Sequence, residues 1–271
     1  MKVFVTGGSG FVGGHTIRRL LGDEHTVVAP ARREASCDKL RALGVSSFAI
    51  DYANPVALEQ AMAGCHAVVH IAAHLKMWGP WADFEASNVT LTDQVLTAAK
   101  ACGVRRFVHV SAASVVMQEA IPIIHADESA PLTALRHLPY SATKAIAETH
   151  VLAAHSDNLK TVALRPPLIW GLGDTVDGDL GDQVRKGQFA WIDRGDYPYA
   201  TCHVQNLSHA IALARTLLLG QVPADIALHL AAHGLERDAE RLERLGRNSL
   251  TLVDEAEEDV LGADVVVVEE A

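Results

Sequence analysis

The sequence predicts an α/β protein in which helices cover both faces of a parallel sheet, a doubly wound fold. Short apolar segments alternate with helical ones about six times before residue 166. These segments are rich in valine, isoleucine and alanine without polar alternation, as in strands that are covered on both faces. A glycine-rich turn follows the first of them, and this combination is typical of doubly wound sheets.

The elements can be assigned in order from apolar spacing and turn residues. The predicted strands are Val3–Val5, Thr26–Ala29, Ser47–Ile50, Ala67–Ile71, Arg106–Val110 and Thr161–Leu164. The predicted helices between them are Phe11–Gly22, Cys37–Leu43, Pro55–Met62, Phe84–Ala101 and Tyr140–His155, and most of these end close to a glycine. Ligands of such sheets bind at the carboxyl ends of the strands, so we expect the functional residues to follow the strands directly.

The composition excludes several classes of protein. With 271 residues, 49% of them hydrophobic and 21% charged, the chain is long and apolar enough to bury a core and is not disordered. Its formal charge of −10 repels phosphate backbones, so we expect no nucleic acid partner. We expect no membrane span because no run of 18 apolar residues occurs, and no signal peptide because a strand begins near Met1.

The cysteines indicate a reducing compartment. Cys37, Cys65, Cys102 and Cys202 lie far apart, and neither they nor the histidines have metal-ligand spacing. We therefore expect a cytoplasmic protein without a metal site.

The turn after the first strand has the glycine spacing of a dinucleotide-binding site. Gly8, Gly10 and Gly13 fit G-x-G-x-x-G, and Gly7, Gly10 and Gly13 fit a wider G-x-x-G-x-x-G. Glycine permits a tight turn and close approach of a pyrophosphate, to which the following helix presents its first N–H groups. The alternative is a turn that merely packs the helix on the strand.

The end of the second strand bears on the choice of cofactor. An acidic residue there would hold the ribose 2′-hydroxyl of NAD, whereas Arg32 and Arg33 would suit the 2′-phosphate of NADP. The sequence therefore favours NADP over NAD, unless both arginines are solvated loop charges. Asp51 ends the third predicted strand and is expected to accept a hydrogen bond from adenine, to cap the next helix, or both.

Tyr140 and Lys144 lie four residues apart, on one face of a predicted helix. A nearby ammonium stabilises a phenolate and is expected to lower the pKa of Tyr140 from its ordinary value of about 10. That would suit the phenol to general acid–base catalysis. An incidental surface pair is the alternative interpretation.

Together these motifs resemble the extended short-chain dehydrogenase/reductase superfamily, over residues 1 to about 232. They are Thr6–Gly13, Asp51, His70–Ala73, Asn88, Ser111, Tyr140-x-x-x-Lys144, Arg165–Gly171 and His203–Leu207. The segments Trp78–Trp81 and Trp170–Asp174 are most similar to the 3β-hydroxysteroid dehydrogenase-like branch, which includes bacterial reductases of 2-alkyl-3-oxoalkanoic acids.

The resemblance implies a Rossmann fold and a role for each matching residue. Tyr140 would exchange a proton with the substrate oxygen, and Lys144 would hold the nicotinamide ribose. The remaining cofactor contacts would come from Gly7, Gly10, Phe11, Val12, Gly13, Ala72, Pro166 and Pro167. Asn88 would buttress the sheet, and His203 would pin the substrate region rather than take part in catalysis.

The sequence departs from the family pattern at two places. Ala112 stands where the family places its catalytic serine or threonine, so we expect the hydroxyl of Ser111 to act instead, with Ser114 or a substrate or water hydroxyl as alternatives. The charged stretch after Leu235 does not match the family's usual ending. We therefore divide the chain into a dinucleotide-binding domain, residues 1–166, and a shortened substrate-binding region, residues 167–271. In the latter we predict a helix over Leu207–Leu219 and a late strand over Val265–Val268.

The leading hypothesis is an oxidoreductase that transfers hydride between NADP or NAD and a lipophilic ketone or secondary alcohol, resembling 3-hydroxysteroids or 3-oxoalkanoates. Leu168 and Trp170 suggest the lipophilic substrate; Trp78 and Trp81 either line its entrance or pack a loop. A nucleotide-sugar epimerase or dehydratase on the same scaffold, and a non-catalytic NAD(P)-binding sensor, are the alternatives. The sequence is also compatible with a homodimer.

Overall fold

A six-stranded sheet forms the centre of the computed structural model, which describes residues 1–76, 78–119, 123, 126–174, 182–188, 200–217 and 266–268. Five strands are parallel, in the order β2-β1-β3-β4-β5, and β8 adds to β5 in the antiparallel direction. Their bounds are β1 Lys2–Thr6, β2 Thr26–Val28, β3 Ala67–His70, β4 Arg106–Val110, β5 Lys160–Arg165 and β8 Val266–Val268. The predicted parallel sheet and the predicted late strand are thereby confirmed.

The helices connect the strands in the predicted alternation except between β2 and β3, where two helices follow each other without a regular strand between them. They are α1 Phe11–Gly22, α2 Glu34–Arg41, α3 Pro55–Met62, α4 Trp81–Phe84, α5 Leu91–Ala101, α6 Pro139–Ala153 and α7 Val204–Leu217. A π-helical segment, Glu85–Thr90, joins α4 to α5, and a 3₁₀ turn, Ala113–Val116, follows β4. Among the described helices, none is long and apolar enough to cross a bilayer.

The two faces of the sheet carry separate cores because neighbouring side chains of a strand point to opposite sides. Val3 and Val5 of β1 face α1, α2 and α7, whereas Phe4 faces α3, α5 and α6. Leu207 and Ile211 of α7 are buried in the first of these cores. The predicted boundary at residue 166 stays a prediction, but α7 packs into the same core as the strands that precede the boundary.

A short second sheet follows β5. It pairs β6, Leu168–Trp170, in parallel with β7, Thr201–His203. The charged segment predicted after Leu235 lies outside the described residues, as do the last two residues of the helix predicted to end at Leu219.

The strand predicted over Ser47–Ile50 is wrong as a regular element. The segment runs beside β2 but makes only two isolated bridges, Val28 to Ser46 and Ala31 to Ala49. The N–H groups of Ala29 and Ala31, on either side of Pro30, still donate to the carbonyl oxygens of Ser46 and Phe48, but this sparse pairing does not amount to a regular strand. The Pro30 carbonyl oxygen accepts a hydrogen bond from the Tyr52 hydroxyl, at 2.7 Å.

Candidate functional site

The glycine turn after β1 is packed tightly at every glycine except Gly10. Gly7 has a φ of +69°, and a Cβ added there would lie 2.8 Å from the backbone nitrogen of Ala72. A Cβ on Gly13 would lie 2.2 Å from the carbonyl oxygen of Gly7, and one on Gly8 would lie 2.8 Å from Ile17. The glycines of both spacings, G-x-G-x-x-G and G-x-x-G-x-x-G, therefore include positions where a side chain would collide with its neighbours. Gly10 is exposed and would meet only that same Gly7 oxygen, at 3.3 Å.

The amino end of α1 opens onto the space beside Gly10. Gly10 is the N-cap residue and makes no side-chain cap, and the first turn contains no acidic residue. The first N–H groups of a helix have no partner within the helix, and they favour an anion. Phe11 and Val12 begin this helix and are half-buried. An open backbone beside a helix amino end suits the pyrophosphate of a dinucleotide.

Thr6 connects the end of β1 to the end of β3. Its hydroxyl oxygen accepts hydrogen bonds from the backbone N–H groups of Ile71 and Ala72, both at 3.1 Å. It lies 2.8 Å from Nδ1 of the buried His70. These contacts hold the Ala72 backbone against Gly7, where the predicted cofactor contact would be.

The same contacts define the proton positions on His70. Thr92 donates its hydroxyl hydrogen to the Asn88 carbonyl oxygen and so accepts from His70 Nε2, at 2.9 Å. Nδ1 therefore carries no hydrogen and accepts from Thr6. Burial, and secondarily the charge of Lys144, lowers the pKa of His70 to about 3. His70 is a neutral structural residue.

Arg32 and Arg33, after β2, are exposed, and neither guanidinium makes a hydrogen bond or ion pair to another described residue. Asp51 is exposed, and its carboxylate accepts from the Ala53 N–H at 2.9 Å. The helix-cap interpretation of Asp51 is wrong: Asn54 caps α3 by accepting from two N–H groups of its first turn. Asp51 lies three residues before the N-cap position of α3, so its carboxylate binds an N–H group of the turn that precedes the helix. Its adenine contact, and the roles of Arg32 and Arg33, stay predictions.

Tyr140 lies in the first turn of α6, behind Pro139, and Lys144 follows one turn later. The expected fall in the pKa of Tyr140 is wrong. Burial raises this pKa to about 12, and no contribution from Lys144 offsets the rise. The Lys144 ammonium instead donates to the Val110 carbonyl oxygen at 2.6 Å and contacts Nε2 of His109 at 3.1 Å.

The surroundings of Lys144 disfavour its charge. Its side chain is fully buried, and this lowers its pKa to about 7 although the Glu148 carboxylate acts in the opposite direction. An ammonium has only donors, so protonated Lys144 needs the lone pair of His109 Nε2 and leaves the ring hydrogen on Nδ1. That Nδ1 is buried and unpartnered within the described chain. The His109 ring also stacks on His70, with centroids 5.4 Å apart.

The Ser111 hydroxyl has a partner other than a substrate. It donates to Glu148, whose carboxylate also accepts two N–H groups of Arg165, the shorter at 2.6 Å. All three side chains are buried, so the ion pair ties α6 to the ends of β4 and β5. The catalytic role of Ser111 stays a prediction. Ser114 Oγ is buried and makes no hydrogen bond within the part of the chain that the structure describes.

Asn88 fixes the loop after β3 to the helix of the Tyr–Lys pair. Its oxygen accepts from the His74 N–H at 2.7 Å, and its amide donates to the Thr143 hydroxyl at 3.0 Å. The expected buttressing role fits these contacts. Asn88 reaches both partners from the π-helical segment between α4 and α5.

Apolar and aromatic side chains are exposed around the same edge of the sheet. Trp78 is 75% exposed, and Trp170 is 46% exposed beyond Pro166 and Pro167. The Trp170 ring meets His203 edge-on at 4.8 Å, which agrees with a structural role for His203. Trp81 is half-buried under the Arg136 guanidinium, at 4.1 Å, so it packs a loop.

Sequence reasoning missed His109 and Glu148. Both carried a signal: a histidine between two valines of a short strand needs a buried polar partner, and Glu148 lies four residues after Lys144 on the same helix face. Arg165 was noticed only as part of a motif. Its partner could not be inferred, because the two residues meet across a helix and a strand.

The sheet, the glycine turn and the Tyr140–Lys144 helix define a protein of the extended short-chain dehydrogenase/reductase superfamily. Within it, the chain belongs to the 3-beta hydroxysteroid dehydrogenase/isomerase family, whose model matches residues 4–227.

Two relatives are similar in sequence over 79% of this chain. One, from Stigmatella aurantiaca, is a 4-hydroxy-2-methyl-3-oxo-4-farnesyl-3,4-dihydroquinoline-1-oxide ketoreductase, 38% identical over 215 residues. The other is a 2-alkyl-3-oxoalkanoate reductase of Stenotrophomonas maltophilia, 39% identical over 217 residues. The chain spans 64% and 65% of their respective lengths.

A solved structure agrees on the fold. A dTDP-glucose 4,6-dehydratase of Streptomyces venezuelae, with NAD bound, is similar at a TM-score of 0.68 and 25% identity. The match covers 79% of this chain and 72% of the dehydratase.

Proposed function

We propose that this protein is an NADP- or NAD-dependent oxidoreductase that interconverts a lipophilic ketone and its secondary alcohol. The observation that carries the proposal is the half-buried Tyr140 phenol on the helix of the Tyr–Lys pair. Because its pKa is raised to about 12, this phenol keeps its proton at neutral pH. A protonated phenol can donate its proton to the carbonyl oxygen when a ketone is reduced.

The residues of the turn fit a nicotinamide dinucleotide. The open backbone at Gly10 and the amino end of α1 would hold the pyrophosphate, with the Ala72 backbone alongside. Lys144 has one ammonium hydrogen beyond those directed at Val110 and His109, and this hydrogen would serve the nicotinamide ribose. When bound, the nicotinamide supplies or accepts the hydride.

The substrate class follows from the relatives and from the apolar surface. The names of both relatives describe reduction of an oxo group on a substrate with alkyl or farnesyl substituents. The exposed Trp78, Leu168 and Trp170 offer such a chain an apolar surface at the carboxyl edge of the sheet. A 3-oxo compound with a long apolar substituent is therefore the substrate class that we propose.

A nucleotide-sugar epimerase or dehydratase is the second candidate, because the dTDP-glucose dehydratase has the same fold. Such an enzyme needs cations for a diphosphate. Arg185 and Lys186 both lie within ion-pair distance of Asp182, and Arg194 lies outside the described residues. These contacts favour the ketone reductase.

The test follows NADPH and NADH absorbance with a 2-alkyl-3-oxoalkanoate and a 3-oxosteroid, and product formation by chromatography with UDP-glucose. We expect turnover with at least one lipophilic ketone. Tyr140→Phe should lower turnover by about 10²–10⁴-fold while the affinity for NADPH is retained, since the phenol supplies the proton. Tyr52→Phe is the matched control, because its hydroxyl donates only to Pro30, and it should keep the wild-type turnover.

Two outcomes would contradict the proposal. One is conversion of UDP-glucose without reduction of any ketone, which favours the epimerase. The other is a folded Tyr140→Phe variant with wild-type turnover.

A further inference from the structure

Arg136 is an exposed arginine in the segment that leads to Tyr140. This segment connects the end of β4 at Val110 with the start of α6 at Pro139, so it runs over the carboxyl edge of the sheet, where ligands of such sheets bind. Tyr140, the proposed proton donor, follows four residues later in the first turn of α6. The fold therefore places a positive charge at the edge where the substrate would bind.

The backbone that carries Arg136 is held on both sides. Before it, the buried Thr133 donates its N–H to the Val115 carbonyl oxygen at 2.7 Å, which fixes the segment to the 3₁₀ turn after β4. After it, the Leu138 N–H donates to the Leu135 carbonyl oxygen at 2.9 Å, which closes a turn with Arg136 at its first central position. The turn runs directly into α6, so the backbone fixes the place of Arg136 next to this helix.

The Arg136 guanidinium lies over an aromatic ring and pairs with no carboxylate of the described chain. It is 4.1 Å from the centroid of the Trp81 ring, which belongs to the helix that follows the loop after β3. Within the described residues this guanidinium makes no hydrogen bond or ion pair, although the adjacent His137 lies 3.7 Å from Glu119. A guanidinium over a ring uses its face and keeps the N–H donors of its edge. Trp81 therefore orients the arginine and leaves its donors for a ligand.

An arginine without a carboxylate partner is unexpected in such an acidic chain. The sequence has 33 acidic and 23 basic residues, and Asp83 lies two residues after Trp81 on the same short helix. Four other arginines each pair with a carboxylate: Arg19, Arg41, Arg165 and Arg185. A guanidinium binds a carboxylate strongly because two parallel hydrogen bonds form at once. The chemical group that suits the free edge of Arg136 is therefore a carboxylate from outside the described chain.

We propose that Arg136 binds the carboxylate of a 3-oxoalkanoate, so that the free acid is preferred over neutral ketones. This inference rests on the proposed function, whose class of lipophilic 3-oxo compounds includes both kinds of substrate. In a 3-oxoalkanoate, a single carbon atom separates the carboxylate from the carbonyl group. A cation that binds the carboxylate must then lie close to the proton donor, and Arg136 occupies the turn that leads directly to Tyr140. Trp81 acts as a positioning residue for Arg136.

The experiment compares a 2-alkyl-3-oxoalkanoate, freshly prepared as the carboxylate, with its methyl ester. The two compounds share the carbonyl group and the alkyl chains and differ in charge. With NADPH as the reductant, we expect kcat/KM of the wild type to be roughly 10- to 100-fold higher for the acid, the range that charge-assisted hydrogen bonds give. Arg136→Gln should remove most of this preference by raising KM for the acid, with kcat/KM for the ester and the NADPH affinity unchanged.

Two further variants make the comparison specific. Arg136→Lys keeps the positive charge but not the planar pair of donors, so it should restore part of the preference. Arg105→Gln is the matched control, because Arg105 is exposed and directly precedes β4 at the opposite edge of the sheet. Its kinetics should equal those of the wild type with both substrates.

The outcomes separate this inference from the function on which it rests. A wild type that reduces no lipophilic ketone overturns both. An active wild type that does not prefer the acid over the ester overturns this inference alone. A preference that survives in Arg136→Gln does the same, as does an Arg136→Gln variant that loses activity with the ester as strongly as with the acid, since that result would show a structural role.

Discussion

Arg32 and Arg41 lie close together in sequence, but their surroundings differ. Arg41 is held by the carboxylates of Glu34 and Asp38, and these hydrogen bonds raise its pKa. Arg32 is exposed, and the described residues give it no carboxylate partner. A guanidinium without an internal partner is available to a phosphate, which it can bind with two parallel hydrogen bonds.

We therefore expect the preference between NADPH and NADH to depend on the side chain of Arg32. Charge-assisted hydrogen bonds contribute about 1.5–3 kcal/mol, or roughly 10- to 100-fold in affinity. We expect the protein to bind NADPH more tightly than NADH by this factor, and Arg32→Ala to remove most of the preference. Calorimetric titration of both cofactors measures it.

Lys39→Ala is the matched control for the Arg32 substitution. It removes one positive charge from the exposed side of α2 and should leave the preference unchanged. Equal affinities of the wild type for both cofactors would contradict a role for Arg32.

At the scale of the element, the turn and α1 combine two separate requirements. Gly7 and Gly13 are needed for folding, because a side chain at either would collide with backbone atoms. Gly10 is less constrained by packing, because an added Cβ would meet only the Gly7 oxygen, at 3.3 Å, and its φ of −84° suits any residue. Its absent side chain is therefore best explained by a ligand that approaches the backbone.

Substitutions in this turn should separate ligand binding from stability. We expect Gly10→Val to stay folded and to lose most of its NADPH affinity, since the branched side chain occupies the space of the pyrophosphate. Gly13→Ala should unfold at a clearly lower temperature, because the new methyl group would lie 2.2 Å from the Gly7 oxygen. Thermal melting and NADPH titration of each variant are the measurements.

Gly22→Ala is the control at the other end of α1, where an added Cβ meets no atom within 4 Å. It should retain both stability and binding. Unchanged NADPH affinity in Gly10→Val would contradict the role proposed for the turn.

At the scale of the whole molecule, a buried polar layer runs through the middle of the sheet. His70 of β3 stacks on His109 of β4, and His109 contacts Lys144 of α6. On the same helix, Glu148 pairs with Arg165 of β5. These groups connect three strands to one helix, so their protonation states affect the stability of the entire domain.

The layer predicts acid-sensitive folding. The pKa of His70 falls from an ordinary 6.5 to about 3 in the folded protein, and burial also lowers that of His109. The unfolded chain then binds more protons between about pH 6.5 and pH 3, so the free energy of unfolding decreases as pH falls through this range. We expect the melting temperature to drop on the order of several degrees between pH 6.5 and pH 4.

The substitution His70→Gln should make this decrease shallower, whatever its effect on stability at pH 7. His137→Gln, at an exposed position, should leave the pH dependence as in the wild type. Melting temperatures measured across the range decide the matter. An identical slope in wild type and His70→Gln would show that His70 does not contribute.

Local patterns were sufficient to predict most of the elements. Strand and helix alternation, the glycine turn and the Tyr140–Lys144 spacing are properties of adjacent residues, and the structure confirms the parallel sheet and the late strand. The strand at residues 47–50 was predicted from its own apolar residues. It is not a regular strand because its pairing partner lies in a different segment, the chain at and after β2, with which it makes only two isolated bridges.

The sequence by itself determined the class of fold, the dinucleotide turn and the family, because each of these depends on residue types at fixed short spacings. Only the tertiary structure decided what the polar side chains do. Burial raises the pKa of Tyr140, and the Lys144 ammonium, which was expected to lower it, is directed at Val110 and His109 instead. The sequence predicts that the Ser111 hydroxyl faces the substrate. In the structure it donates its hydrogen bond to Glu148, which the fold brings beside it from α6.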